Sequence, residues 1–252
     1  MRKLKTIYLV VLNKNNCIFE KHTKEGYMVK GFVQKLLIKS GKTYEIDPRI
    51  PNTLFYNMLI NRALMLVRGF LKTGRKVFVG SNTKILNASN IQFGKSVTIG
   101  SSCEIDGYAS EKIILGHCVK IGSYSKLLST SHFSKFGKGL KMGNHSAIGD
   151  FTHFGAPGGI DIGNDVIMGS YISFHSENHN FSDTSKLIRE QGVNSKGIIL
   201  GNNIWVGAKV TFLDGCQVGD NSVVAAGAVV NGIYPPNSII GGVPAKVLKT
   251  IE

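Results

Sequence analysis

Acidic residues are scarce in this 252-residue chain: 16 Asp and Glu stand against 30 Lys and Arg, a net charge of +14. The shortage is local. Residues 1–76 hold 16 basic and 4 acidic side chains, net +12, whereas residues 77–252 hold 14 and 12, net +2. The charge therefore says nothing about the body, and anionic partners are expected at the N-terminal piece. Nucleic acid is not among the expected partners. Cysteine is also sparse. Cys17, Cys103, Cys118 and Cys216 form no CxxC pair and no zinc spacing, which reads as small buried hydrophobes in a reducing compartment. No run of about 20 uncharged apolar residues is present, so no membrane span is expected. The apolar run Ile7–Leu12 is too short for a signal peptide and no cleavage site follows it. These absences read together as a cytoplasmic protein.

What the chain does have is glycine, 30 residues, without the every-third-residue period of collagen. An apolar residue followed by glycine recurs, as in Ile99-Gly100, Ile121-Gly122, Ile148-Gly149, Met168-Gly169, Val206-Gly207 and Val218-Gly219. Within blocks the step is six: 142, 148, 154 and 160, then 162, 168 and 174, then 200, 206, 212, 218 and 224. A helix does not fit, because six residues at about 100° each scatter the apolar positions around the axis. A flat strand does not fit either, since glycine at every sixth position breaks the ladder. Short strands meeting at regular corners do fit. Ile204 before Val206, Val210 before Phe212 and Cys216 before Val218 put two residues of each side inward. Glycine is expected at the corner, where a Cβ is costly. Three such sides close a triangle of about 18 residues. Stacked triangles make a parallel β-helix over residues 77–244, about seven coils once the interruptions are removed.

Two segments break the register, 128–141 and 175–197. Solenoids shed insertions as surface loops, often on a binding face, so functional residues are sought in the 23-residue polar segment 175–197. Residues 1–76 lack the repeat and form a small basic α/β or helical extension to the domain 77–252. Within it, Thr6–Leu12 reads as a strand, Leu54–Lys72 as a helix with a wide apolar face, and Gln34–Lys39 as a further helical turn. The wide face packs on the solenoid or a neighbouring subunit, or lies on anionic lipid at the inner face of the plasma membrane.

The stretch Ser176-Glu177-Asn178-His179-Asn180-Phe181-Ser182-Asp183 precedes Leu187-Ile188-Arg189-Glu190-Gln191-Gly192. There follow Asn203-Ile204-Trp205-Val206-Gly207-Ala208, Leu213-Asp214-Gly215, Ala226-Gly227 and the closing Gly242-Val243-Pro244-Ala245-Lys246-Val247. In order and spacing these resemble the hexapeptide-repeat acyltransferases, most of all the O-acetyltransferases that modify polysaccharides of capsules and O-antigens. The resemblance implies a left-handed β-helix, a hand that the usual rule for parallel crossovers would not have chosen. It implies acetyl-CoA as co-substrate, a sugar or glycan acceptor, a homotrimer with sites between subunits, and direct transfer in a ternary complex.

Residue by residue, the resemblance makes His179 the general base, a task suited to an imidazole near neutral pKa. Trp205 would flank the pantetheine arm or a sugar face. Ala208 and Ala226, one coil apart, would line the pantetheine groove, with Gly207 and Gly227 keeping backbone accessible. Lys246 and Lys249 match basic positions that meet the nucleotide phosphates, although Asn231-Gly232 stands where relatives often carry Thr-Lys. Glu177 either orients the histidine or binds a sugar hydroxyl. Asn178, Asp183 and Arg189 are acceptor-contact candidates, with a merely solvated loop as the alternative. Other readings of the same solenoid are N-acetylation of an amino sugar or nucleotide sugar, a zinc lyase of the carbonic-anhydrase type using His153, His175 and His179, and a non-catalytic scaffold. No metal is expected.

Overall fold

The computed structural model describes residues 24–39, 45–132 and 135–252. The expected strand at Thr6–Leu12 and Cys17 lie outside them. The chain divides into two compact units, Met1–Asn61 and Arg62–Glu252.

In the first unit, helix α1 (Lys24–Lys39) contains the expected turn at Gln34–Lys39. The Lys30 ammonium is buried and donates to the carbonyl of Ile50, and the Gln34 side-chain oxygen accepts from the Ile46 N–H at 2.7 Å. Helix α2 (Asn52–Thr73) overlaps the expected Leu54–Lys72 and runs across the boundary between the units.

The second unit carries the repeat. Its strands, two or three residues long for the most part, form three sheets of nine, seven and seven strands. Every pairing between coils is parallel; the antiparallel Ala245–Thr250, paired with Ser238–Gly242, closes the first sheet. Consecutive strands go to successive sheets, so the chain winds through seven coils. Inward residues alternate with outward ones, as in the buried-exposed-buried pattern of Ile160–Ile162. The core is a stack of like residues. Phe154, Phe174 and Phe212 are fully buried, with ring centroids 5.3 and 4.9 Å apart. Cys216 is sealed in the same core, and burial pushes its thiol up to about 12.

One sequence expectation needs correction. The regular coil length holds where Trp205 pairs with Val223, but the coil is longer where Phe78 pairs with Thr98, and longer again where Thr98 pairs with Lys120. The added residues gather at the edge between the second and third sheets, in turns such as Gly155–Gly159. The expectation that a Cβ is costly at the glycine corners holds, and the structure supplies the cause. A Cβ on Gly122 would collide with the Gly149 carbonyl carbon, so glycine is required by the close approach of successive coils. The left-handed backbone falls two residues later, on Tyr124, Phe151 and Tyr171 with φ of 58°, 58° and 61°. Bulky residues are rarely held there. Here their exposed rings stack on one another at 4.8 and 4.9 Å.

Candidate functional site

Both register breaks leave the solenoid at the edge between the second and third sheets. The shorter follows the strand Lys126–Leu128; the longer follows Ser173–His175 and rejoins at Ile198–Leu200. Leaving from one edge, they meet. The Lys135 ammonium lies 3.2 Å from a Glu177 carboxylate oxygen and donates to the Ser195 hydroxyl at 2.7 Å. Ser131 donates to the other Glu177 oxygen at 3.2 Å. Glu177 is thus committed to joining the two excursions. Lys135, Ser131 and Ser195 carry no sequence signal for this, since the contacts span 42 to 60 residues.

The longer excursion is an arm built on a two-stranded antiparallel ladder, Asn178–His179 against Val193–Asn194. Asn180 donates its backbone N–H to the Gly192 carbonyl and its side-chain N–H to the Gln191 carbonyl, at 3.0 and 2.9 Å. At the arm's base, the Asp214 carboxylate accepts the N–H groups of Lys196 and Gly197, both at 2.8 Å, and the Asn178 amide at 3.5 Å. Asp214 lies one coil above, in the motif Leu213-Asp214-Gly215. The motif is visible in the sequence, but its task of pinning the arm is not.

On this frame His179 is exposed, beside Asn178. Asp183 faces inward to its own loop. It accepts from the Ser185 N–H at 3.1 Å and from the Ser185 hydroxyl, and pairs with Lys186 at 3.0 Å. These contacts hold its carboxyl below the usual carboxylate range. Arg189 extends into solvent and pairs loosely with Glu190 at 3.8 Å. His175 donates to or accepts from the Ser173 hydroxyl at 2.7 Å, and its ring lies 6.0 Å from that of His153. Burial, then the charges of His175 and Lys126, press the His153 pKa below the ordinary histidine value. Among the described residues, no three His, Cys, Asp or Glu side chains converge in a metal-binding cluster.

The other candidate residues gather at a different edge, between the first and second sheets. A Cβ on Gly207 would lie 2.5 Å from the Ala226 nitrogen, and Gly227 donates to the Ala208 carbonyl at 2.9 Å, so these four residues form one stacked strip. Ala208 and Ala226 are not buried, and a Cβ on Gly227 would meet nothing within 4 Å. The strip is a shallow backbone-lined track, suited to a narrow chain that carries amides. Trp205 stands next to it on the first sheet, 63% exposed. Trp205 pairs with Val223, Val223 with Ile239, and Ile239 with Lys249, so the indole and the Lys249 side chain share one column of that sheet. Lys246 lies on the same terminal strand, opposite Gly241. The structure therefore brings Trp205, Gly207, Ala208, Ala226, Gly227 and Lys249 to one side of the solenoid, whereas the arm with Glu177, Asn178 and His179 leaves from another edge.

A stacked parallel β-helix with a projecting imidazole arm and a glycine-alanine track defines the architecture: a repeat-built solenoid rather than a sheet sandwich. Residues 197–232 match the family model described as bacterial transferase hexapeptide (six repeats). A probable acetyltransferase of Mycobacterium tuberculosis is 28% identical over 169 residues, covering 67% of this chain and 53% of that protein. A putative lipopolysaccharide biosynthesis O-acetyl transferase of Escherichia coli is 25% identical over 195 residues, covering 75% of this chain and 85% of that protein. A Vibrio cholerae hexapeptide-repeat acetyltransferase, solved with acetyl coenzyme A, is 28% identical over 53% of this chain and 71% of its own, with a TM-score of 0.43. The chain spans about half the length of the first of these relatives. The chain carries this hexapeptide repeat on a parallel β-helix and is similar to acetyltransferases over 67–75% of its length.

Proposed function

We propose that this chain is an acetyl-CoA-dependent O-acetyltransferase acting on a sugar hydroxyl of a cell-surface polysaccharide, capsule or O-antigen, or of its precursor. The observation that carries the reading is an exposed histidine on an arm fixed at both strands and at its base, on a solenoid that also offers the Gly207–Ala208 and Ala226–Gly227 track.

In this reading the pantetheine arm lies along the track, its amides pairing with backbone. Trp205 flanks it, and Lys249 and Lys246 meet the phosphates as point charges. His179 accepts the proton of the acceptor hydroxyl as that oxygen attacks the thioester carbonyl. A carbon–oxygen bond forms, the carbon–sulfur bond breaks, and the imidazolium returns the proton to the leaving thiolate. No acyl-enzyme forms. Asn178, beside the base, is an acceptor contact, with Arg189 further out on the loop, while Asp183, held by Ser185 and Lys186, serves the acceptor only by shaping that loop. Glu177 acts on His179 only through the arm it holds, as a positioning residue.

The two halves lie on different edges of one chain, which supports a trimer in which the arm of one copy serves the track of the next. Phe181, Leu187 and Ile188, exposed near the arm's tip, supply apolar surface for that contact. The likeness to the lipopolysaccharide O-acetyl transferase of Escherichia coli supports a glycan acceptor. A cytoplasmic place of work goes with acetyl-CoA as the donor.

The test is turnover of acetyl-CoA by the full chain against free sugars, nucleotide sugars and polyprenyl-linked glycans, with wild type beside His179→Ala. Wild type should acetylate a hydroxyl, and the variant should lose transfer at least about 100-fold with CoA affinity within threefold of wild type. Retained turnover would mean another base operates, and product found only on amine-bearing sugars would make it an N-acetyltransferase.

A further inference from the structure

Helix α2 keeps its apolar residues on the wrong side. Its solenoid-facing side is defined within the second unit by Gly69, where a Cβ would overlap the Val77 carbonyl oxygen, and by Arg62, whose guanidinium sits 3.3 Å above the Phe78 ring. At about 100° per residue, Leu64, Val67 and Leu71 fall within about 60° of one another on the opposite side. They are 47%, 56% and 78% exposed. Helical periodicity extends the stripe by a turn to Ile60, which is also exposed. A surface helix of a water-soluble domain normally buries such a stripe.

Charge identifies what covers it. No aspartate or glutamate occurs between Asp47 and Glu104, while eight lysines and arginines do. Lys72, Arg75 and Lys76, all exposed, follow the stripe directly. A second copy seated on this face would set these cations against their own equivalents without an acid to offset them. An anionic lipid surface offers an apolar layer for the stripe and opposite charge for its flank. The helix has no window apolar enough to cross a bilayer, so it lies along the surface rather than through it.

We infer that α2 docks the protein on anionic lipid through Leu64, Val67 and Leu71, with Lys72, Arg75 and Lys76 meeting the headgroups. The inference is independent of the acyl-transfer chemistry, because none of these residues takes part in it. The test is co-sedimentation of the full chain with phosphatidylcholine vesicles, with and without about 30% phosphatidylglycerol, at about 50 and 500 mM NaCl. Wild type should partition to the anionic vesicles only, and salt should weaken it. Three charges at about fivefold each make Lys72→Gln/Arg75→Gln/Lys76→Gln on the order of 100-fold weaker at low salt. Leu64→Ser/Val67→Ser/Leu71→Ser should lose at least about tenfold at both salt levels, with oligomeric mass unchanged. Wild-type binding by both variants overturns the proposal, as does a fall in mass in the serine variant, which would assign the stripe to a second copy. Should the serine variant fail to fold, the charge variant decides alone.

Discussion

Removing the Asp214 carboxylate should open the arm without unfolding the solenoid. The Lys196 and Gly197 N–H groups each lie 2.8 Å from its Oδ1, and the Asn178 amide lies 3.5 Å from its Oδ2. A hydrogen bond to a charged acceptor contributes about 1.5–3 kcal/mol. Two short ones on a half-exposed carboxylate, where water replaces part of the loss, make Asp214→Ala cost about 2–3 kcal/mol. The cost falls on the arm, because Asp214 faces outward while the core at that level is Phe212 and Cys216. Local opening then rises by about 30- to 150-fold, and the protection of the Lys196 and Gly197 amides against hydrogen exchange falls by the same factor. Amides of the buried strand Ile160–Ile162 should keep their protection. Asp214→Asn, which retains one acceptor oxygen, should fall between. Under the proposed chemistry, turnover drops with arm occupancy while CoA affinity holds. Protection of Lys196 and Gly197 within threefold of wild type in Asp214→Ala would refute the anchoring argument.

Truncating the middle of the aromatic stack, Phe174→Ala, should destabilise the protein by about 3–5 kcal/mol, read as a lower urea midpoint, because Phe154 and Phe212 are held by their own coils and cannot close the void. Acid should weaken the fold through His153. Its folded pKa is depressed by burial and by His175 and Lys126, so the unfolded chain takes the proton first. Stability is retained above about pH 6.5, the ordinary histidine value, and declines below it until the folded pKa is passed. His153→Gln should flatten that limb in thermal melts at about pH 5 to 7, and an unchanged pH dependence would locate the effect elsewhere.

Much of the architecture was legible because it is written locally. A step of six with two inward residues per side is a statement about neighbours in sequence, and the sheets built on residues such as Ile204, Val206, Val210 and Phe212 follow it. The uneven coil lengths were less visible. Additions at one edge leave the inward pattern intact on either side, so the apolar spacing does not register them. The backbone that excludes a Cβ is hidden for a similar reason: a residue such as Gly122 answers to the backbone of Gly149, a whole coil further along the chain.

The sequence by itself determined the repeat, the two excursions, a helix over Leu54–Lys72, within the observed Asn52–Thr73, and which residue types populate the arm. These depend on periodicity and composition, which act over a few residues. Tertiary structure alone decided what the arm's residues are used for. Glu177 is drawn to Lys135 and Ser131, Asp214 to the arm's base, and Trp205 to the same column as Lys249. Winding the chain into stacked coils turns residues tens of positions apart into neighbours across a strand spacing of about 4.8 Å. Which of them meet depends on where each coil gains its extra residues, and only the folded chain fixes that.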